Sequence, residues 1–412
     1  MRRPAGARLV LGLVALCRGG LWCALGLGWA VLACAQPLPP VRIGLIGPFS
    51  GPSAAFGLPM HNGVRLAVDE VNAAGGYLGR PLELVVKDDR ARPAIGREQA
   101  EALVAEQVLA VIGFCNAGVA QASLEVFQKA RVPLLIPCAS ETGLTAQHKS
   151  ADSYIFRTAA SDALQTRFLV AQLLRRGWRR VAVFADTTAY GEAGVRDVAA
   201  ALAEQGLSPA HVARFPVGVR DLEADLRAAR SAGASVIVSH TVGPENAVIA
   251  RGRHALKWNV PLAGTWTLSF PFFLDNAQEA ADGTLVVQTF IAEPGNGRQA
   301  GFLQAYARTY GVRDIAVPVA AAQGHDTLYL LMHALFALRS NAPDGPALKG
   351  ALEHLDRTYH GVVGTYENPF AAADKEAIKP HMLQLGQVQQ GRIRRAPSPA
   401  ERPERSARSL PP

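Results

Sequence analysis

The chain has 412 residues, 49% of them hydrophobic, enough for two or three domains with their own cores. Its formal charge of +8 is local rather than general. Four Arg lie in the first 35 residues and six, with two Glu, in residues 392–412, which leaves 32 basic and 32 acidic groups between them. A neutral body excludes a nucleic-acid face as the origin of the high pI.

Residues 1–35 read as a signal peptide. Arg2, Arg3 and Arg8 form a basic start, Leu21 to Ala33 is apolar, and Ala33-Cys34-Ala35 fits a small-x-small cleavage site. The apolar stretch is short for a membrane span. Alternatively, Val31-Leu32-Ala33-Cys34 is a lipoprotein signal with Cys34 lipidated. Either reading predicts export to the periplasm. Of five cysteines, Cys115 and Cys138 remain after cleavage. Export permits a disulfide between them, and two small buried thiols at strand ends are the alternative.

Strand and helix patterns then alternate. Val41 to Ile46 reads as a strand, His61 to Ala74 as a helix, Leu82 to Val86 as a strand and Gly96 to Val108 as a helix. Ala110 to Ile112 and Leu134 to Ile136 follow as strands. From Ser161-Asp162 the alternation restarts, with strands at Arg180 to Phe184, Val212 to Pro216, Ser235 to Ser239, Pro261 to Ala263 and Leu285 to Gln288. Long helical patterns close the body at Arg298 to Tyr310 and Ala320 to Leu338, with a shorter one near Ala347 to Leu355. Repeated βαβ units predict parallel sheets in two α/β, Rossmann-like lobes. One lobe is expected from 41–158 plus 292–360 and the other from 159–288 plus 365–391, with hinge crossings at 157–161, 289–294 and 361–365. The Pro- and Arg-rich residues 396–412 read as a disordered tail.

Ligands of parallel α/β sheets sit beyond the carboxyl ends of the strands. That directs attention to Ser50 to Gly57, Phe114 to Gly118, Pro137 to Thr142, Asp186 to Gly191 and Gly264 to Leu268. No phosphate-cradling glycine loop, G-x-S-x-G elbow, H-E-x-x-H or metal-spaced Cys/His set is present, so no cofactor and no metal are expected. Asp88-Asp89 reads as a strand-end cap rather than an acid pair, because adjacent strand residues face opposite ways.

Taken together, VRIGLIGPFSGPSAAFG at 41–57, AVDEVNAAGG at 67–76, Val86 to Asp89, VIGFCNAG at 111–118 and Pro133 to Thr145 resemble the leucine/isoleucine/valine-binding proteins. DTTAYGE at 186–192 and Gly243-Pro244-Glu245 carry the likeness into the second half, and it covers about residues 41 to 390. The resemblance implies a two-lobed, hinged receptor of the type I periplasmic-binding fold, a monomer serving an inner-membrane ABC permease.

It also implies a site. Loops matching Cys115, Asn116, Ala117 and Gly118, and Cys138, Ala139 and Ser140, hold a ligand carboxylate through backbone N–H groups and hydroxyls. Ala117 stands where a hydroxyl residue is expected, so only its backbone serves. Phe56 and Tyr190 match aromatics of the pocket, and Gly243 falls in the matched segment of the second lobe. Trp266 stands where the amino-acid binders of the family carry a carboxylate for the ligand ammonium. Asp186, Glu141 or another acid substitutes, the tryptophan face accepts the cation, or the ligand has no ammonium. Ordinary core packing is the plainer reading of Phe56, Tyr190 and Trp266, and helix capping that of Ser140.

The function expected is therefore binding of a branched-chain or other apolar amino acid, or a related small carboxylate, for an importer, without catalysis. A ligand sensor on the same fold is the first alternative. A secreted hydrolase is the second, and it needs a histidine beside Ser50, Cys115, Cys138 or Ser140.

Overall fold

The computed structural model describes residues 39–148 and 150–398. The expected signal peptide, Cys34 and residues 399–412 lie outside the described residues. The first α/β run comprises β1 (Val41–Gly47), α1 (Ala54–Ala73), β2 (Leu82–Asp88), α2 (Pro93–Ala105), β3 (Ala110–Ile112), α3 (Ala117–Ala130), β4 (Leu134–Ile136), α4 (Gly143–Ala146) and β5 (Ile155–Arg157). The second comprises α5 (Asp162–Arg175), β6 (Val181–Asp186), α6 (Ala189–Ala203), β7 (His211–Phe215), α7 (Glu223–Ser231), β8 (Val236–His240), α8 (Glu245–Ala255), β9 (Leu262–Gly264), α9 (Pro271–Ala277) and β10 (Leu285–Gln288). Then come α10 (Gly297–Tyr310), α11 (Pro318–Leu338), α12 (Gly345–Glu353), the small ladder β11 (Tyr359–His360) and β12 (Thr365–Tyr366), and finally β13 (Gln384–Gln389) and β14 (Arg392–Arg395).

Two sheets result. The first is five-stranded and parallel, in the order β2-β1-β3-β4-β5. The second runs β14-β13-β10-β9-β8-β6-β7, with β13 and β14 antiparallel at one edge. Helices cover both faces of the central parallel strands, so those are buried along their length, while the edge strands β2 and β7 carry exposed positions. β6 and β8, for example, are buried along their whole length.

Packing overrides local signals in three places. Helix α1 begins seven residues before the expected His61 and runs through Pro59. Phe56, Pro59, Met60, Gly63 and Val64 are all buried along it, and that burial outweighs the backbone bond Pro59 cannot make. A Cβ on Gly63 would collide with the Ala321 carbonyl, so the glycine lets α1 and α11 close together. Residues 392–395, expected only as basic charge, form a strand whose Arg392 and Arg394 pair with Asp314 and Glu293, each at 2.9 Å. The expected tail starts attached, because the Ala396 N–H donates to the Leu385 carbonyl at 2.9 Å.

The third passage between sheets also falls later in the chain than the pattern suggests. Residues expected in the second lobe from 365 onward stay against β5. Phe370 meets the Phe156 ring at 5.1 Å, the Arg157 guanidinium pairs with Glu376 at 2.5 Å, and the Ala377 N–H donates to the Arg157 carbonyl at 2.9 Å. The passage therefore lies in residues 378–383, ahead of β13.

A buried polar group sits under α11. His325 Nε2 lies 3.1 Å from Glu70 Oε2, which also accepts the Tyr329 hydroxyl at 2.7 Å, and His325 Nδ1 lies 3.5 Å from Asp326 Oδ1. Burial alone would lower the His325 pKa, but the bonds to Asp326 and Glu70 raise it above the usual value. A histidine raised on folding contributes stability that is fully present below its unfolded pKa, about 6.5, and is lost as pH rises through the folded value. Urea midpoints are therefore expected to fall as pH rises from about 6.5 through the folded value, and to fall less steeply in His325→Gln. Equal slopes in both proteins would remove His325 as the cause.

Candidate functional site

Both sheets share one strand permutation: β7-β6-β8-β9-β10 repeats β2-β1-β3-β4-β5. In such a sheet the connections on either side of the first strand leave in opposite directions, opening a crevice beyond its carboxyl end. In the first sheet that crevice lies between the loops after β1 and β3. In the second it lies between those after β6 and β8. The two crevices face each other across a cleft of about 440 Å³.

Nine of the residues named from sequence line this cleft: Phe56, Cys115, Asn116, Ala117, Gly118, Ser140, Tyr190, Gly243 and Trp266. Cys138 and Ala139 do not. Cys138 is fully buried, and the Ala139 N–H is already given to the Phe114 carbonyl at 2.9 Å. Both cysteines are free thiols, and Cys115 Sγ lies 3.6 Å from Met60 Sδ. Burial, and then the neighbouring Cys138, push the Cys115 thiol well above its ordinary pKa. An unreactive, neutral thiol results.

The small loop after β3 ends at the start of α3. Asn116 is extended, with φ −100° and ψ 129°, and its side chain makes no capping bond. The first N–H groups of α3 consequently have neither an intrahelical acceptor nor a side-chain cap, and residues 116–119 line the cleft. Among the described residues, no lysine, arginine or histidine lines the cleft. This helix N-terminus is a place where an anion can be held without a basic side chain. The loop after β1 is pinned nearby: Asp88 accepts the Phe49 N–H at 2.9 Å and the Ser50 hydroxyl at 2.6 Å. Asp89 turns inward, accepts the Ala91 N–H at 2.8 Å, and is pushed up to about 7 by burial. The two acids thus hold separate turns.

The opposing walls touch. Phe56, from the first half, stacks on Phe270 of the second at 4.9 Å. Trp266 stands edge-on to Phe270 at 4.7 Å and donates its indole Nε1–H to Ser140 Oγ at 3.1 Å. The Thr142 hydroxyl donates to Asp197 at 2.7 Å beside them. Tyr190 Oη lies 3.0 Å from Thr265 Oγ1, and its ring packs on His240 at 4.4 Å. Burial keeps its hydroxyl protonated by raising its pKa well above normal.

Of the acids considered as substitutes, Glu141 is absent from the lining, and its Oε1 accepts the Gly143 N–H at 2.8 Å. Asp186 lines the cleft, but both its oxygens are engaged, one by the Thr188 N–H at 2.9 Å and the Thr188 hydroxyl, the other by the Thr241 hydroxyl at 2.6 Å. Phe270, Phe272, Thr267 and Glu245 also line the cleft and were not singled out from sequence as site residues. The aromatic run Phe270-Pro271-Phe272-Phe273 after a strand-end loop was a usable signal for the first two.

Two α/β sheets enclose a cleft between their strand ends, the architecture of the periplasmic binding proteins. The family model of periplasmic binding proteins matches residues 40–392, and the chain belongs to that family. A curated relative, the Leu/Ile/Val-binding protein BraC3 of Rhizobium johnstonii, is 31% identical over 246 residues, 60% of this chain and 66% of that one. The match thus spans just under two thirds of that relative's length. Among solved structures, the periplasmic binding protein type 1 from Bordetella pertussis Tohama I superposes with a TM-score of 0.77 at 25% identity, covering 87% of this chain and 100% of that one. The branched-chain amino acid transporter substrate-binding protein LivJ from Streptococcus pneumoniae, solved with isoleucine, gives 0.74 at 24% identity, covering 86% and 97%.

Proposed function

We propose that this chain is the exported substrate-binding protein of an ABC importer, carrying a small carboxylate with an apolar side chain, such as a branched-chain amino acid or a relative of one. The observation that carries the reading is the uncapped N-terminus of α3 opening into a cleft without a basic side chain. Cys115, Asn116, Ala117 and Gly118 present the carboxylate end, and Ser140 keeps a hydroxyl proton to donate while its oxygen accepts from Trp266. Phe56, Phe270, Phe272 and Val242 supply the apolar walls, with Tyr190, Gly243 and Trp266 on the second half. The wall-to-wall contacts support capture by hinge closure, after which a membrane permease receives the ligand. Family membership supports the periplasmic location, and the relative's being a Leu/Ile/Val-binding protein supports the amino-acid class.

Ser50, Cys115 and Ser140 are bonded to Asp88, Met60 and Trp266 respectively, not to histidine, which supports binding over hydrolysis. The test is thermal unfolding of the mature protein against apolar L-amino acids and their des-amino acids. A ligand at one hundred times its Kd adds about 2.7 kcal/mol, a clear rise in Tm. No shift with any carboxylate of either class would remove this reading.

A further inference from the structure

Beyond residue 35 the chain holds only two cysteines, Cys115 and Cys138, and the fold puts them together. β3 and β4 are adjacent parallel strands, with Val111 opposite Leu134 and Ile112 opposite Leu135. The two segments stay side by side past the strand ends, because the Phe114 carbonyl accepts the Ala139 N–H at 2.9 Å. Cys115 directly follows that acceptor and Cys138 directly precedes that donor. Both cysteines pack in the apolar cluster that contains Met60, whereas Phe114 and Ala139 pack in the cluster on the other face of the sheet. The two thiols therefore leave neighbouring segments toward the same side. Neighbouring backbones in a sheet lie about 4.8 Å apart, inside the roughly 4.4–6.8 Å between Cα atoms that a disulfide spans. Two cysteines placed at random in a body of this size rarely meet. Cys138 is fully buried and Cys115 is 6% exposed, so a bond between them is shielded from reductants once the chain has folded.

We propose that Cys115 and Cys138 are joined by a disulfide in the exported protein, and that the bond ties the loops 115–118 and 138–140 together at the base of the cleft. The folded thiols are neutral and shielded, so the bond forms while the chain folds and both are still open to solvent. One cysteine thiolate attacks a donor disulfide, of the oxidised-glutathione or thiol–disulfide oxidoreductase class, releases one donor thiol and leaves a mixed disulfide. The thiolate of the other cysteine attacks the protein-side sulfur and releases the second donor thiol. Two protein thiols and one donor disulfide thus become one protein disulfide and two donor thiols, with two electrons passing to the donor. Relative to the thiol pair described above, Cys115 Sγ turns from Met60 Sδ toward Cys138, and the flexible thioether adapts to the space. The bridge braces the start of α3 and the loop that carries Ser140, with or without ligand. Its occurrence in the cell rests on the export reading, and its chemistry does not. Plain packing of two small thiols is the competing role, and it predicts no bond and no dependence on redox conditions.

The test unfolds and reduces the mature protein, refolds it in a buffer of oxidised and reduced glutathione, alkylates it without reductant and maps the peptides by mass spectrometry. A peptide pair joined through Cys115 and Cys138 is expected. Dithiothreitol is expected to spare the bond in the native protein and to cleave it in denaturant. The bridged protein is expected to melt about 5 °C or more above protein refolded with excess dithiothreitol. Amides of residues 113–118 and 138–142 are expected to exchange more slowly in it. Cys138→Ala is expected to melt with the reduced protein and to ignore the glutathione ratio. If that variant does not fold, the two redox forms of the wild type still decide. Two alkylated thiols after oxidative refolding overturn the proposal. A bridged protein that melts below the reduced one also overturns it, because the fold then opposes the bond. The same mapping on periplasmic and cytoplasmic fractions keeps export separate: free thiols in periplasmic protein sink the bridge, while protein that stays in the cytoplasm counts against export alone and the refolding result decides the bridge.

Discussion

Asp326→Ala is expected to cost about 3–5 kcal/mol of stability, the scale for stranding buried polar partners, with little direct effect on the cleft. Asp326 is fully buried on α11. Its carboxylate accepts the Val362 and Val363 N–H groups, both at 2.8 Å, and the Tyr359 and Tyr366 hydroxyls at 3.2 and 3.1 Å. Four donors converge on two oxygens because residues 359–366 turn back on themselves through the β11–β12 ladder. Gly361 sits so close that a Cβ there would collide with Asp326 Oδ2. Alanine strands two backbone donors and two phenols in a dry interior. His325 loses an acceptor as well. Asp326→Asn keeps the volume but offers a donor where acceptors are needed, so an intermediate loss is expected. Urea unfolding at constant slope measures both. A loss below about 0.5 kcal/mol for the alanine variant, the range of an ordinary surface change, would show that the turn is held by something else.

Trp266→Ala is the second large effect. It is expected to weaken binding of the cognate ligand about 100-fold or more, on the scale of a deleted buried aromatic, and to lower Tm as well. Trp266 joins the halves two ways, through Ser140 and through the ring of Phe270 that stacks on Phe56, while its backbone N–H is given to Gln165 Oε1 at 3.0 Å. That last bond lies within the second half and anchors the Trp266 backbone. Trp266→Phe keeps the apolar ring and deletes only the indole donor, so it is expected to retain most of the affinity. Calorimetric titration of both variants decides the matter. Wild-type affinity in Trp266→Ala would place the tryptophan outside the binding wall, as core packing alone.

Eight of the nine cleft residues fall in loops that draw attention because they follow strands, where a parallel sheet leaves backbone groups open, and Gly243 came only with the family resemblance, which also singled out the individual residues. Cys115 to Gly118 are legible as a small loop before a helix. Glu245 is not legible in this way. In the chain it is a common first-turn glutamate, and nothing local distinguishes a solvated carboxylate from one with a bare buried oxygen. Cys138 and Ala139 fail in the opposite direction. They sit in a site loop, but the sheet below absorbs the Ala139 N–H and covers the Cys138 sulfur.

The amino-acid sequence by itself determined the alternation of strands and helices, the repeat of the α/β pattern after residue 160, and the neutral body between basic ends. Hydrophobic period and turn residues are local, and they survive any arrangement of the rest. The tertiary structure decided what depends on burial. It carries α1 through Pro59, turns Arg392 to Arg395 into an edge strand, and holds residues 365–377 against β5. It also satisfies Asp186 while leaving Glu245 Oε2 without a partner. Removal of a group from water is a property of everything packed around it, and the residues beside Glu245, Gly218 and Gly243, come from separate loops of the second half.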